Sequence, residues 1–522
     1  MKKSGQKASV PVRFGFHDKS HDPVFLEHSL KQGGSFPLAE RKENNIRQRV
    51  LMLLYAGFFL LLFYSCYYAD FYETGLEGVR FWDILFEGKI RHFYSQVFLI
   101  GNMQYVPLYD FPMYIIFALW NFPLWVVEKC TGIDIYHSVL CLMWMKSMLL
   151  FWLLLFQKAF GGVIELVVDG SRNRLSEMKN RGEMLFLTST FTVTGIAVLG
   201  QYDIITMTLM MLGLKAYLQG DKKWFTIWFA LAAPLKYFSL LIYAPLVLMD
   251  EKRIRRILVQ VFCVILPMVF FWIAVPYGRA ELVPGCTFSG SSEGTNVAKP
   301  IYDALFVHGS VAFGTLFIYI FAEMAFLIFC YAYQRRKEDD RTRITIYLCL
   351  MAYVIQFTAA YSHPYWLILM SPFMILVILA DPEKSYLNLM AETLMTAAMV
   401  GAQIMYFEWC FCSNIVELSF WKYLLPKGIG ESGEWRSLSA FLSLRISDPR
   451  LQEYVTGACL SVYAAGLLFF VLWNCPFLSH KWSLVTRQER DYKWLYPVRA
   501  VISLGLGSIP LVLYVARAFG IW

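Results

Sequence analysis

The chain has 522 residues, of which 57% are hydrophobic, 17% aromatic and only 16% charged. Soluble domains are nearer a quarter charged, so this composition, with a mean hydropathy of +0.48 and repeated long apolar runs, excludes an ordinary soluble domain and points to a multi-pass membrane protein. The 47 Lys+Arg exceed the 39 Asp+Glu by little, which reads as anchoring of cytoplasmic loops and not as nucleic-acid binding.

Hydrocarbon offers no partner for a free backbone amide, so runs of this length must be helices. The pattern has no barrel-like alternation. The expected fold is therefore all-α, a polytopic integral membrane protein with about 12–14 transmembrane helices. Of the 11 cysteines, Cys66, Cys141, Cys263, Cys330, Cys349 and Cys459 lie inside apolar runs, as small core hydrophobes do. Cys410 and Cys412 share a loop without evident ligand partners, so neither a zinc site nor a disulfide framework is expected.

Three regions are expected: a basic tail (1–49), a transmembrane catalytic module (50–380) and C-terminal transmembrane helices (381–522). The tail is too charged and too long for the start of a signal peptide, so no cleavable signal is expected. Its end, Glu40 to Arg49, is rich in Arg and Lys and directly precedes the apolar run Val50 to Ala69. The positive-inside rule then makes the tail cytoplasmic and brings Asp70 out on the far side. In the outer loop 70–111, the stretch Gly78 to Glu87 sets apolar residues at helical spacing beside charges, which suits a helix lying in the interface.

Residues 112–127, with Pro112 and Pro123, are a short span or a re-entrant segment, and 137–160 make a full span. Arg172, Arg174, Lys179 and Arg181 mark 169–183 as cytoplasmic. That requires an even number of earlier crossings, which a re-entrant 112–127 would supply. Runs 184–200 and 204–218 meet at Gly200-Gln201-Tyr202-Asp203, with no room for a conventional loop. From Trp224 to Lys236-Tyr237 and back to Met249 the chain reads as a pair of broken helices, followed by the basic anchor Asp250 to Arg256. Further spans are expected at 257–275, 311–333, 344–360, 365–380, 386–407, 456–474 and 497–517, with outer loops at 276–300 and 408–455. No internal repeat is evident.

Charged groups are costly in hydrocarbon and usually pair or mark a site. By this topology five polar clusters share the outer face: Asp70 with Glu73, Asp110, Gln201 with Asp203, Lys236 with Tyr237, and His363 with Tyr365. Any one of them could be a solvated helix end. Asp70 stands apart because aromatic residues surround it in Tyr67-Tyr68-Ala69-Asp70-Phe71-Tyr72. Lys236 follows Pro234 in an apolar stretch and needs an anion, either Asp203, a carbonyl or a lipid phosphate. His363 could give a phosphate oxygen a hydrogen bond. Lys146 and Glu323, inside spans, read as structural or cavity-facing. A carboxylate base beside a lipid phosphate suggests one reaction: transfer of a sugar from a polyprenyl phosphate. Asp70 would take the acceptor proton, and Lys236 and His363 would neutralise the departing phosphate.

These features resemble the GT-C superfamily of membrane glycosyltransferases. The resemblance is carried by Ala69-Asp70-Phe71-Tyr72-Glu73 after the first span and by a large first outer loop with an interfacial helix. It is also carried by Gly200-Gln201-Tyr202-Asp203 followed by Ala233-Pro234-Leu235-Lys236, and by His363-Pro364-Tyr365-Trp366. It implies an inverting hexosyltransferase with Asp70 as base, Lys236 and His363 on the donor phosphate, and Glu73, Gln201, Asp203, Tyr237, Tyr365 and Asp110 about the substrate. It implies a lipid-linked sugar donor, a glycan, lipid or protein acceptor, and a plasma-membrane location with the site on the extracytoplasmic face. Many members carry a second acidic residue in the first loop. Here Glu73, Asp83 or Asp110 could take that place, which leaves a divalent metal open. Two other readings stay in view. One is a transporter or flippase of lipid-linked sugar. The other is a polysaccharide polymerase or ligase using Lys422, Lys427, Arg436, Arg445 and Arg450 of the loop 408–455.

Overall fold

The computed structural model describes residues 38–100, 103–168, 171–278, 284, 287–288, 308–311, 314–334, 340–360, 363–425, 436–446, 448, 450–478 and 492–521. Met1–Ala56 and Gly57–Trp522 are separate compact units. Everything described below about the site lies within the second. Most of the expected loop 276–300, part of 408–455 with Lys427, and Tyr361 and Ser362 of the late outer turn fall outside the described residues.

The fold is all-α and polytopic in composition. Five described helices are long and apolar enough to cross a membrane, or six when one bent pair is taken as a single span. Four shorter apolar helices, Val50–Phe63, Phe238–Asp250, Ile318–Ala332 and Pro364–Ala380, lie below that length. The expected 12–14 counted such broken pieces as full spans.

The first helix, α1 (Leu38–Phe63), stops six residues before the apolar run does. A turn through Tyr64 to Tyr68 leads into α2 (Ala69–Phe86), so Asp70 sits in the first turn of a second helix and not at the end of the first. The helix expected at 78–87 is the second half of this 18-residue element. After a 3₁₀ turn at Ile90–Ser95, strands β1 (Phe98–Ile100) and β2 (Met103–Tyr105) pair antiparallel, with Leu99 opposite Gln104. Strand β3 (Thr287–Phe288) joins β2 in parallel. Helix α3 (Phe111–Thr131) is unbroken over 21 residues and long enough to span, although Pro123 lies inside it. Helices α2 and α3 pack closely where a Cβ on Gly78 would lie 2.6 Å from Phe117 Cβ. Their far ends share an ion cluster, Arg80 with Glu128 at 2.8 Å and Lys129 with Asp83 at 2.9 Å.

Helix α4 (Val139–Val167) is the full span expected. The run expected at 184–200 is two pieces. Helix α5 (Arg172–Leu187) ends at Thr188, whose hydroxyl donates back to Met184 O at 2.8 Å, and a short helix Thr190–Thr192 winds on into a π-helix, Val193–Val198. Gly200, at φ +62°, then reverses the chain, a left-handed conformation that glycine adopts without steric cost. Helix α6 (Asp203–Leu218) begins three residues later. The paired broken helices at 224–249 are present as α7 (Lys222–Ala232) and α8 (Phe238–Asp250). Then come α9 (Ile254–Ala274), a hairpin of β4 (His308–Val311) and β5 (Gly314–Phe317), and α10 (Ile318–Ala332). Helix α11 (Arg341–Ala359) precedes the 3₁₀ segment Pro364–Met370, which carries Tyr365 and continues as α12 (Ser371–Ala380). The chain closes with α13 (Ser385–Tyr406), α14 (Leu451–Trp473), α15 (Leu495–Gly507) and α16 (Ile509–Ala518). The last two are bent by 49° beside Pro510, which has no amide proton to continue the ladder.

Candidate active site

Asp70 is half-buried, and two tyrosines from distant segments converge on one of its oxygens. Tyr109 Oη and Tyr365 Oη each donate to Asp70 Oδ2 at 2.8 Å. Asp70 Oδ1 has no hydrogen-bond partner among the described residues. The arrangement fixes the carboxylate through one oxygen and leaves the other free to accept.

Tyr109 is itself held on both sides of its backbone. Its N–H donates to Tyr114 Oη at 3.0 Å, and its carbonyl accepts from Tyr94 Oη at 2.7 Å. Its ring meets that of Tyr202 edge-on, with centroids 5.2 Å apart, a geometry that the ring quadrupoles favour. Tyr202 is part of the Gly200–Asp203 turn, so the segment before α3 and that turn meet here.

Lys236 Nζ pairs with Asp203 Oδ1 at 2.5 Å, and both side chains are buried. Of the anions considered for Lys236, the structure shows the carboxylate. The ammonium also lies 5.3 Å from the Tyr202 ring centroid and 5.7 Å from those of Tyr109 and Trp366, within range of cation–π attraction. Tyr109 thus touches Asp70 through its hydroxyl and borders Lys236 with its ring. His363 stacks on Tyr365 with centroids 5.2 Å apart and planes 6° from parallel. Its ring also meets Trp366 and Trp409 edge-on.

The other expected residues are placed less directly. Gln201 is buried, and its Nε2 has no partner among the described residues. Asp110 is turned to another segment and accepts from Trp272 Nε1 at 3.2 Å and from Tyr277 Oη. Burial pushes its carboxyl up, against the hydrogen bonds from Tyr277 and Trp272 and the charge of Lys236. Glu73 is half-buried one turn beyond Asp70, and its charge adds to burial in raising the carboxyl of Glu77 well above the usual range. Tyr237 is 41% exposed and packs on Phe238, so it is not among the side chains gathered about Asp70. Burial alone would raise the Asp83 carboxyl, but hydrogen bonds from Trp125, Lys129 and Arg80 hold it below its ordinary value.

Among the described residues, no group of three or more His, Cys, Asp or Glu side chains could hold a metal ion. Asp70, Asp110 and Asp83 each face different partners, so no step below is routed through a metal. The sequence reading did not single out Tyr109, Tyr202 or Trp409. Tyr109 adjoins Asp110 in an aromatic loop, and Tyr202 lies inside the turn that was noted, so position rather than residue type was the available signal.

Residues 137–358 match the family model Glycosyltransferase family 87. The match indicates a glycosyltransferase. It covers less than half of the chain and includes Gln201, Asp203 and Lys236, whereas Asp70, Tyr109, His363 and Tyr365 lie outside it. No curated protein matches the chain.

Proposed function

We propose that the protein is an inverting glycosyltransferase of the GT-C type that moves a hexose from a polyprenyl-phosphate donor to an extracytoplasmic acceptor, with Asp70 as general base. The observation that carries this reading is the carboxylate of Asp70, held through Oδ2 by Tyr109 and Tyr365 and open at Oδ1. A base must be fixed in position yet keep an acceptor free for the incoming proton.

In the proposed step an acceptor hydroxyl attacks the anomeric carbon of the donor sugar. Its proton passes to Asp70 Oδ1. The bond between the anomeric carbon and the phosphate oxygen breaks, and the lipid phosphate leaves with the electron pair. A single displacement inverts the anomeric centre; glycoside hydrolysis commonly uses two paired carboxylates, whereas a phosphate leaves without an acid and only the base is needed here. Lys236 is ion-paired with Asp203, and its ammonium carries N–H donors that can reach phosphate oxygens. His363 stacks on Tyr365 and meets Trp366, the ring that Lys236 also approaches, and in this reading Gln201 and Glu73 contact the substrate. The lipid tail of such a donor would lie in the bilayer, consistent with a site at the outer boundary of a plasma-membrane protein.

The test is a donor panel. Purified protein in lipid is given labelled polyprenyl-phosphate sugars and, separately, nucleotide sugars. Consumption of the lipid-phosphate sugar alone, with release of lipid phosphate, is the expected result. Turnover of nucleotide sugars alone would overturn the donor assignment. Movement of intact lipid-linked sugar across the membrane without release of lipid phosphate would replace transfer with transport.

A further inference from the structure

Lys146 lies in the middle of the apolar helix α4 and is 0% exposed. No carboxylate pairs with it among the described residues. Its ammonium donates instead to three backbone carbonyls: Phe63 O at 2.6 Å, Ala197 O at 3.0 Å, and Cys66 O. An ammonium has three donors and no acceptor, so its capacity is spent on these contacts.

The three carbonyls belong to the ends of two helices. Phe63 closes α1, and Cys66 lies in the turn that leads to Asp70. Ala197 is the second-last residue of the π-helix that leads to the Gly200–Asp203 turn. The last carbonyls of a helix have no partner within it, and the aligned peptide dipoles make that end negative. A cation there is favourable, and here one cation serves two helix ends. The junction is also tight. A Cβ on Gly200 would lie 3.2 Å from Phe71 Cβ and 3.6 Å from Lys146 Cε, so the Asp70 segment, Lys146 and the Gly200 turn are in mutual contact.

We propose that Lys146 is a positioning residue for the transfer reaction, locking the segment that carries Asp70 to the turn that carries Tyr202 and Asp203. The proposal rests on the reading of Asp70 as base. Lys146 touches no reacting atom. It sets the distance between the carboxylate and the Asp203–Lys236 pair, and so between base and leaving phosphate.

Lys146→Met removes all three donors while keeping an apolar stem. The expected result is a fall in kcat of about 10- to 100-fold, the scale of an ångström-size misplacement, with the donor KM within about twofold because Lys236 and His363 are untouched. A second readout is independent of activity. Cys66 is 0% exposed, and its carbonyl is one of the three acceptors. In folded Lys146→Met the Cys66 thiol should react with N-ethylmaleimide severalfold faster than in the wild type, as read by peptide mass mapping. Gly200→Ala crowds the same junction from the other side and should show the same loss confined to kcat, which serves if Lys146→Met fails to fold. Wild-type kcat and wild-type Cys66 protection in Lys146→Met would overturn the proposal, as would parallel loss of kcat and KM in both variants. If the wild type transfers no lipid-linked sugar, the donor assignment falls, while Cys66 reactivity still decides whether Lys146 is the lock.

Discussion

Asp70 depends on two tyrosine hydroxyls that donate to the same oxygen. Hydrogen bonds to a charged group contribute about 1.5–3 kcal/mol each, and 1.4 kcal/mol corresponds to tenfold in rate. Tyr365→Phe deletes one hydroxyl and keeps the ring that stacks on His363. We expect its kcat to fall by about 10- to 100-fold, with the protein still folded. Steady-state transfer rates measured beside wild type check this, and an unchanged kcat would mean that the carboxylate is not poised by these hydroxyls. The pair Lys236–Asp203 works differently. Taking one partner from a buried pair strands the other charge, at a cost of about 3–5 kcal/mol, so loss of activity in a single variant there mixes catalysis with stability.

At the scale of elements, the contact of α2 with α3 decides where Tyr109 meets Asp70. A Cβ at Gly78 would lie 2.6 Å from Phe117 Cβ and 3.0 Å from the Phe117 carbonyl carbon. Backbone this close cannot swing aside as a flexible side chain would. Gly78→Ala should therefore push the helices apart and lower stability by about 1–3 kcal/mol, as overpacking does. The same shift should weaken the hydrogen bond from Trp82 Nε1 to Ala118 O, 2.9 Å in the wild type. Thermal unfolding in detergent reads the first effect, and an unchanged midpoint would show that the helices separate freely. Part of this geometry was legible in the sequence. Charge bias in the flanking loops and two apolar runs with no loop between them mark Asp70 and the turn at 200–203. The end of α1 at Phe63 was not legible, because Tyr64 to Tyr68 contain no charge, proline or glycine to mark a break before Asp70. Tyr109 was not legible either, since its role comes from hydrogen bonds made by Tyr94 and Tyr114 at other positions.

Over the whole molecule, distant helices are joined by buried polar contacts that no local pattern announces. Arg499 on α15 meets Glu392 on α13 through two hydrogen bonds, at 2.8 and 2.6 Å, and also reaches Leu185 O at the end of α5 and Thr188 Oγ1 beyond it. This ties the C-terminal helices to the segment leading into the π-helix and the Gly200 turn. Composition made the membrane class plain, whereas the number of spans was not, because helix breaks such as Thr188–Ser189 and Ser508 leave the hydropathy of a run unchanged.

On the proposed reading, the contacts of Tyr109 and Tyr365 hold Asp70 as a base. The measurement that tests it most directly is single-turnover consumption of a labelled polyprenyl-phosphate sugar by the wild type and by Asp70→Asn, with unfolding midpoints taken on both. General-base catalysis is worth about 10²–10⁴-fold, and an amide cannot accept the proton at that position. A folded Asp70→Asn that binds donor normally and is slower by that factor is the predicted result. A folded Asp70→Asn that turns over within twofold of wild type would remove Asp70 from the base role.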